Sequence, residues 1–236
     1  MFQYMDLKEE DFIIYCGWAE ICSSRKQEFE ENCRKLSQQP ATFLFIDNGQ
    51  EDYPVLNSYP IENWNGGKVH HIIKNKIIHL MRGQVFCIDG KTFFTMGGAM
   101  RTGYFENICE MYGISRGNVK KDFNNVICES WWRYEYPNPQ EFQEGLINLA
   151  KVNNQVDYIV TFHLSTSKLL KMGYIYEGEI NYMTDYFDLL EAGVEFKKWI
   201  CGWEHMWYDT DIKKDYSPNM LFGDKYYNAK DIKSGF

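Results

Sequence analysis

The segment FIDNGQED, residues 45–52, carries polar side chains directly after an apolar strand. It turns at Asn48 and Gly49, and an amide and two acids follow the turn. Catalytic groups commonly lie on such turns, because the sheet fixes the turn and the turn faces solvent. The segment is therefore a candidate site, and the elements around it decide what chemistry it could perform.

Length and composition predict a globular chain of one large α/β domain or two small ones, and the resemblance described below implies a single domain over residues 1–236. The chain is 44% apolar and 17% aromatic, which is enough to bury a full core. It has no run of about 18 apolar residues and begins with an acidic segment, so we expect neither a membrane span nor a signal peptide. We therefore expect a cytoplasmic protein.

The charge and the cysteines argue against two common kinds of site. The net charge of −8 is unlike that of an unspecific nucleic-acid binder, although it leaves room for a local basic patch. The cysteines form no CxxC pair, which argues against a zinc site. We expect reduced thiols that pack as small apolar groups, at positions 16, 22, 33, 87, 109, 128 and 201.

Strand and helix patterns alternate in the first part of the chain. Residues 12–16 are an apolar run that predicts a buried strand. A helix follows, with apolar residues spaced i, i+4 and i+7, and it ends before Pro40. The next strand is predicted over Ala41–Asp47. This spacing predicts two parallel strands with a right-handed crossover.

The middle of the chain predicts antiparallel strands, and alternation returns after it. Asp89-Gly90, between two apolar runs, is a strong two-residue hairpin signal. A helix from Pro139 is predicted to bury one apolar face, formed by Phe142, Leu146, Leu149 and Ala150. The remaining predictions are strands over Val69–Ile73, Ile77–Met81, Val85–Ile88, Thr92–Met96, Val156–Phe162 and Phe196–Cys201, and a helix near Thr184–Glu191.

Four segments of the chain resemble one protein family. They are NWNGGKVHHI, IIHLMRGQVFCIDGKTFFTMGGA, WWRYEYP and VDYIVT. They are similar to the calcineurin-like metallophosphoesterases, particularly a small bacterial branch, and the resemblance spans residues 8 to 205. It implies an α/β fold, a metallophosphoesterase sandwich of two mixed β-sheets flanked by helices. The expected fold is N-terminally truncated, because no GDxHG motif with its strand precedes residue 12.

The resemblance also implies where a catalytic site would lie. The family holds two divalent metal ions with about seven Asp, Asn and His ligands, on strand ends that read GDxHG, GDxG, GNHE, a histidine after an apolar strand, and GHxH. In YCGWAE of this chain, Trp18 takes the place of the bridging aspartate, and Glu20 follows two residues later. An indole cannot bind a hard dication.

The third motif of the family corresponds to the opening segment. In DNGQE, Gly49 takes the place of the metal-binding asparagine. Gln50 takes the place of the histidine that protonates the leaving group, and Asn48 is an amide one residue early. The resemblance therefore implies that the turn kept its shape and lost its chemistry.

The last two motifs depart from the family pattern as well. In IVTFHLS, Phe162 takes the ligand position, and His163 is offset by one residue. In CGWEHMW, Trp203 takes the place of the first histidine, and only His205 matches. One imidazole cannot hold a dinuclear centre. We therefore expect no catalytic residue, no metal and no cofactor.

Three aromatic side chains would replace ligands in one pocket of such a fold, namely Trp18, Phe162 and Trp203. They could fill a vacated site by apolar packing, or they could form a stacking platform for a flat, nucleotide-like ligand. Acidic residues of the Asn48 turn are expected to be solvated, and the histidines to be structural or solvated. The candidate binding residues are Trp18, Glu20, Asn48, Gly49, Gln50, Glu51, Phe162, His163, Trp203 and His205.

We expect a catalytically inactive metallophosphoesterase-fold protein that acts as a binding or inhibitory module for a protein or nucleotide-like ligand. Its acidic charge suits a decoy that engages a host nuclease or another nucleic-acid enzyme. The alternative is an active metal-dependent phosphodiesterase or phosphatase with a rebuilt site of Asn48, Glu51, His163 and His205.

The absent first strand predicts an uncovered sheet edge beside residues 12–16. Three arrangements could cover it. Met1–Asp6 could fold back as a substitute strand, neighbouring strands could close the gap, or a second chain could add a strand in a homodimer or a heterologous complex.

Overall fold

The computed structural model describes residues 7–16, 26–49, 51–99, 134–171 and 181–202, and the backbone of residues 227–228. In chain order the elements are β1 (Phe12–Cys16), α1 (Lys26–Ser37), β2 (Thr42–Ile46), α2 (Tyr53–Leu56), β3 (Ile61–Trp64), β4 (Gly67–Ile73), β5 (Ile77–Leu80), β6 (Gln84–Ile88), β7 (Lys91–Met96), α3 (Pro139–Lys151), β8 (Gln155–Thr161), α4 (Thr166–Lys171), α5 (Tyr182–Gly193), β9 (Glu195–Cys201) and β10 (Tyr227–Asn228).

The first sheet is mixed and has the strand order β10-β1-β2-β5-β4-β3. β1 and β2 are parallel, and α1 lies between them in the chain, which confirms the predicted parallel pair. β5 pairs with β2 in the parallel direction, whereas β3 pairs with β4, and β4 with β5, in the antiparallel direction. Two of the predicted antiparallel strands, β4 and β5, therefore extend a parallel unit within one sheet.

The second sheet is also mixed and has the order β6-β7-β8-β9. Its β6–β7 hairpin turns at Asp89 and Gly90, whose φ angles of 48° and 71° are those of the predicted two-residue turn. β7 pairs with β8, and β8 with β9, in the parallel direction; α3 precedes β8 along the chain, and α4 and α5 precede β9. The side chain of Cys87 on the edge strand β6 is exposed.

The two sheets share one apolar core. In β2, Leu44 and Ile46 belong to that core together with Phe94 and Val160 of the second sheet. The alternate β2 residues, including Phe43, lie in a separate cluster against α1. Because strand side chains alternate between faces, β2 serves both clusters. The chain is thus an α/β protein with two mixed sheets, as predicted at this level.

The predicted apolar face of α3 was wrong in part. Leu146 is 45% exposed, and Ala150 is exposed as well, although both were expected in the core. The buried residues of α3 are Phe142, Gly145 and Leu149. Gly145 lies directly against Tyr186 and Gly83, so the close approach at this glycine turns the helix away from the predicted face.

A strand from the same chain covers part of the β1 edge. β10 pairs with β1 in the antiparallel direction, with Asn228 opposite Ile13 and Tyr227 opposite Ile14. The covering segment, residues 227–228, comes from the same chain but was not named in the prediction, which considered Met1–Asp6, neighbouring strands or a second chain. The proposed substitute strand, Met1–Asp6, lies outside the described residues. No helix in the described ranges is long and apolar enough to cross a lipid bilayer.

Candidate functional site at the strand ends

The carboxyl ends of parallel strands from both sheets meet at one place. The backbone N–H of Gly98, just after β7, donates to the carbonyl oxygen of Asp47, just after β2, at 2.8 Å. Gly202, just after β9, lies so close to β1 that an added Cβ would come within 1.1 Å of the Cys16 carbonyl oxygen. Ligand sites of α/β proteins form at such strand ends.

In the turn after β2, Glu51 is buried, which corrects the prediction that its side chain is solvated, whereas Asp52 is partly exposed. Glu51 is only 6% exposed, and Asn48 is buried too. The Glu51 carboxylate accepts the backbone N–H groups of Asn48 at 2.9 Å and of Gly49 at 3.0 Å. Glu51 therefore stabilises the turn from inside. Asp52 caps α2 by accepting the backbone N–H of Val55 at 3.2 Å.

Gly49 occupies a position that a larger residue cannot enter without strain. Its φ angle is +88°, a conformation that L-residues with side chains rarely adopt. An added Cβ would lie 2.8 Å from the Cβ of Ala99. A ligand side chain at this position would require Ala99 to move, so the described backbone does not fit the metal-binding asparagine that the resemblance implies.

The turn after β8 is held by neutral groups. Phe162 is 6% exposed and packs in the shared core. Its carbonyl oxygen accepts the thiol of Cys201 at 3.0 Å. Thr161 Oγ1 donates to the carbonyl oxygen of His163 at 2.6 Å and accepts the indole N–H of Trp199 at 2.7 Å. Phe162 is thus a core residue here, and the neighbouring His163 is buried.

Half of the predicted binding residues cannot be placed. Trp18, Glu20, Gln50, Trp203 and His205 lie outside the described residues. The prediction that three aromatic side chains meet in one pocket therefore stays a prediction.

Sequence reasoning missed a buried ionic network beside the Asn48 turn. The Asp47 carboxylate accepts the Tyr53 hydroxyl at 2.9 Å and the Arg82 Nε–H at 3.0 Å, and Arg82 Nη2 donates to the same oxygen. Arg82 Nη1 also donates to Glu141 Oε2 of α3 at 3.1 Å. Arg82 therefore ties the end of β2 to the start of α3.

The second terminal nitrogen of Arg82 extends the network to a further segment. Nη2 donates to the backbone carbonyl oxygens of Tyr134 at 2.7 Å and Glu135 at 3.0 Å. Burial alone would raise the pKa of Asp47, but Arg82 and His79 together hold that pKa well below its usual range. Asp47 is therefore ionised at neutral pH, and its charge is balanced by Arg82.

Two histidines continue the network into the first sheet. His79 Nε2 lies 3.3 Å from Asp47 Oδ1, and the Nδ1 atoms of His79 and His70 are 3.2 Å apart. Both side chains are buried. The available sequence signal was their position within apolar strands, since a histidine in such a strand needs a polar partner when it is buried.

A cavity of about 70 Å³ opens beside this network. The described residues that line it are Asp47, Tyr53, Leu56, Asn57, His70, His79, Met81, Arg82, Tyr134, Tyr136, Asn138 and Glu141. Within the described ranges, no three His, Cys, Asp or Glu side chains are grouped so that they could hold a metal ion.

Comparisons of this chain with family models, with curated proteins and with solved structures gave no match. The resemblance to the metallophosphoesterases therefore stays a prediction from the residues quoted above.

Proposed function

We propose that this protein is a catalytically inactive metallophosphoesterase-fold protein that binds a protein or a nucleotide-like ligand. The observation that carries the proposal is the conformation of Gly49. Its positive φ angle and the 2.8 Å approach of an added Cβ to Ala99 oppose a ligand side chain at a position where the resemblance places one.

The other described motif position supports the same function. Phe162 packs in the apolar core where the resemblance places a histidine ligand. The alternative site with a rebuilt ligand set would use Glu51, but its carboxylate already accepts two backbone N–H groups. A metal ion bound through Glu51 would therefore share a carboxylate that already holds the turn.

Hydrolysis assays on the purified chain test the loss of activity. We expect no turnover of p-nitrophenyl phosphate or bis(p-nitrophenyl) phosphate above background with added Mn²⁺, Ni²⁺ or Zn²⁺. We also expect less than one equivalent of metal per chain by elemental analysis. Metal-dependent turnover that an added chelator abolishes would overturn the proposal and favour the rebuilt site.

Binding is tested separately from hydrolysis. Nucleoside monophosphates can be titrated against the intrinsic tryptophan fluorescence, because Trp18 and Trp203 belong to the predicted pocket. For the protein arm, a captured partner must be purified and must re-form a complex of fixed stoichiometry with the pure chain. Failure of both arms, together with absent hydrolysis, would contradict a binding role.

A further inference from the structure

The chain contains two Asn-Gly pairs, Asn48-Gly49 and Asn65-Gly66. Asparagine is a thermolabile residue, and a following glycine makes it more so. Because glycine has no side chain, its backbone nitrogen can approach the side-chain amide carbon of the asparagine before it. Both pairs lie in turns, but the structure places them in opposite surroundings.

The Asn48 pair is enclosed. Asn48 is only 2% exposed, and the backbone N–H of Gly49 donates to the Glu51 carboxylate at 3.0 Å. The nitrogen that would attack the amide is therefore engaged in a buried hydrogen bond. This turn would have to open before the two groups could react, and opening a buried segment costs free energy.

The Asn65 pair is open to solvent. Asn65 and Gly66 form the two-residue turn between β3 and β4, with φ angles of 47° and 97°, and both are exposed. β3 is the edge strand of the first sheet. The reacting groups thus lie in water at the tip of an edge hairpin, where local opening requires the least free energy.

We propose that Asn65 is a site of spontaneous deamidation, whereas the surroundings of Asn48 protect it. The Gly66 nitrogen attacks Cγ of Asn65, and the new N–Cγ bond replaces the Cγ–Nδ2 bond. The proton of the Gly66 nitrogen leaves with the amide group as ammonia. Water then opens the cyclic imide. Hydrolysis at the side-chain carbonyl gives aspartate, hydrolysis at the main-chain carbonyl gives isoaspartate, and either product adds one negative charge.

The position of Asn65 gives this reaction a structural consequence. Its carbonyl oxygen accepts the backbone N–H of Cys87 at 2.8 Å. That bond joins the β3–β4 hairpin of the first sheet to β6, the edge strand of the second sheet. In isoaspartate the main chain runs through Cγ, and the former carbonyl group becomes a free carboxylate. Deamidation therefore weakens a link between the edges of the two sheets.

The experiment ages the full folded chain at pH 8 and 37 °C in H₂¹⁸O and locates the label by mass spectrometry. Digestion after glutamate at mildly acidic pH puts Asn48 and Asn65 on separate peptides, because Glu51 and Glu62 lie between them. We expect labelled product at Asn65 to form about tenfold or more faster than at Asn48. In urea, the two rates should become comparable.

Three results would overturn the proposal. They are equal rates at the two sites in the folded chain, the same ratio of rates in the folded and the urea-unfolded chain, and an unreacted Asn65 in the folded chain. The control is Asn65→Gln, because the larger imide ring that glutamine would form closes much more slowly. This variant should give no labelled product at residue 65.

Amide hydrogen exchange tests the structural consequence. In the aged chain, the Cys87 amide should exchange about tenfold or more faster than in the fresh chain, because its acceptor has been displaced. Aged Asn65→Gln should show no such change from its own fresh sample. Unchanged exchange at Cys87 in a chain that contains isoaspartate at residue 65 would refute the weakened link.

Discussion

The turn after β2 and the turn after β8 both lie at the candidate site, but different interactions stabilise them. At the β2 turn, the carboxylates of Asp47 and Glu51 accept hydrogen bonds from Arg82 and from the backbone. At the β8 turn, Thr161 and Trp199 form neutral hydrogen bonds around a core phenylalanine. One turn depends on ionised groups, and the other depends on packing.

This difference has an energetic consequence. A buried charge pair is costly to break from one side, because the remaining charge stays desolvated without its partner. A neutral hydrogen bond contributes about 1 kcal/mol, and its loss is local. We therefore expect changes at the β2 turn to have larger and more pH-dependent effects than changes at the β8 turn.

The largest effect is expected for Arg82→Met. The variant leaves the Asp47 carboxylate buried without its cation, and we expect the free energy of unfolding to fall by about 3–5 kcal/mol. Urea denaturation followed by circular dichroism measures the change. The control is Lys74→Met, which breaks the exposed ion pair with Glu62 and should cost less than about 1 kcal/mol. An equal loss of unfolding free energy in both variants would contradict the expectation that the buried ionic network stabilises the fold more than the exposed ion pair does.

The second prediction concerns pH. Burial first, and then the neighbouring His79, lowers the pKa of His70 to about 4 from an ordinary value near 6.5, while Asp47 raises it only in part. In the unfolded chain, His70 thus binds a proton below about pH 6.5, whereas in the folded chain it binds one only near pH 4. The free energy of unfolding should therefore fall by roughly 3 kcal/mol across this window.

Unfolding curves between pH 7 and pH 4 test this decrease against a variant. His70→Gln should show a smaller decrease than the wild type. His71→Gln should retain the part that comes from His70, because it leaves the contact between His70 and His79 intact. A decrease that is identical in the wild type and in His70→Gln would show that His70 is not its source.

The third prediction introduces at the turn the amide that the resemblance implies for this position. Gly49→Asn introduces a Cβ at a φ angle of +88° and 2.8 Å from Ala99, and we expect a cost of about 2 kcal/mol. The matched control is Gly90→Asn, which also has a positive φ angle but has nothing within 4 Å of an added Cβ. Thermal denaturation should separate the two variants. Similar losses of stability in both variants would mean that the positive φ angle, rather than crowding by Ala99, determines the cost of Gly49→Asn.

The smallest effect is expected at the neutral turn. Trp199→Phe removes the indole N–H that donates to Thr161 at 2.7 Å. We expect it to cost about 1 kcal/mol more than Trp64→Phe at a half-buried indole, because Trp199→Phe also loses this hydrogen bond. The extra cost should be the same at pH 7 and pH 5. A strongly pH-dependent difference would place an ionised group at this turn as well.

Local patterns predicted most of the described elements, because they depend on neighbours in the sequence. The β6–β7 hairpin follows from Asp89-Gly90, and the β1–β2 pair follows from the spacing of two apolar runs. The burial of Glu51 could not be predicted in this way. An acid in a polar turn has the sequence pattern of a solvated group. Only the structure shows that two backbone N–H groups donate to the Glu51 carboxylate.

The ionic network could not be predicted from the sequence for a related reason. Asp47 and Arg82 are 35 residues apart, and Glu141 is a further 59 residues from Arg82, so no periodicity relates them. The exposed face of α3 had a different cause, since Gly145 permits a close approach that the apolar pattern alone does not indicate. Long-range polar contacts and close backbone approaches are the features that required the structure.

The exposed thiol on the edge strand of the second sheet offers a practical route to follow binding. Of the described cysteines, Cys33 and Cys201 are buried, Cys16 is partly covered, and Cys87 is open to solvent. Burial also raises the pKa of the Cys33 thiol to about 11, which keeps it protonated and slow to alkylate. Within this set, a maleimide fluorophore would react first at Cys87. Because β6 lies at the sheet edge, the dye would report on partner docking by anisotropy without entering the core.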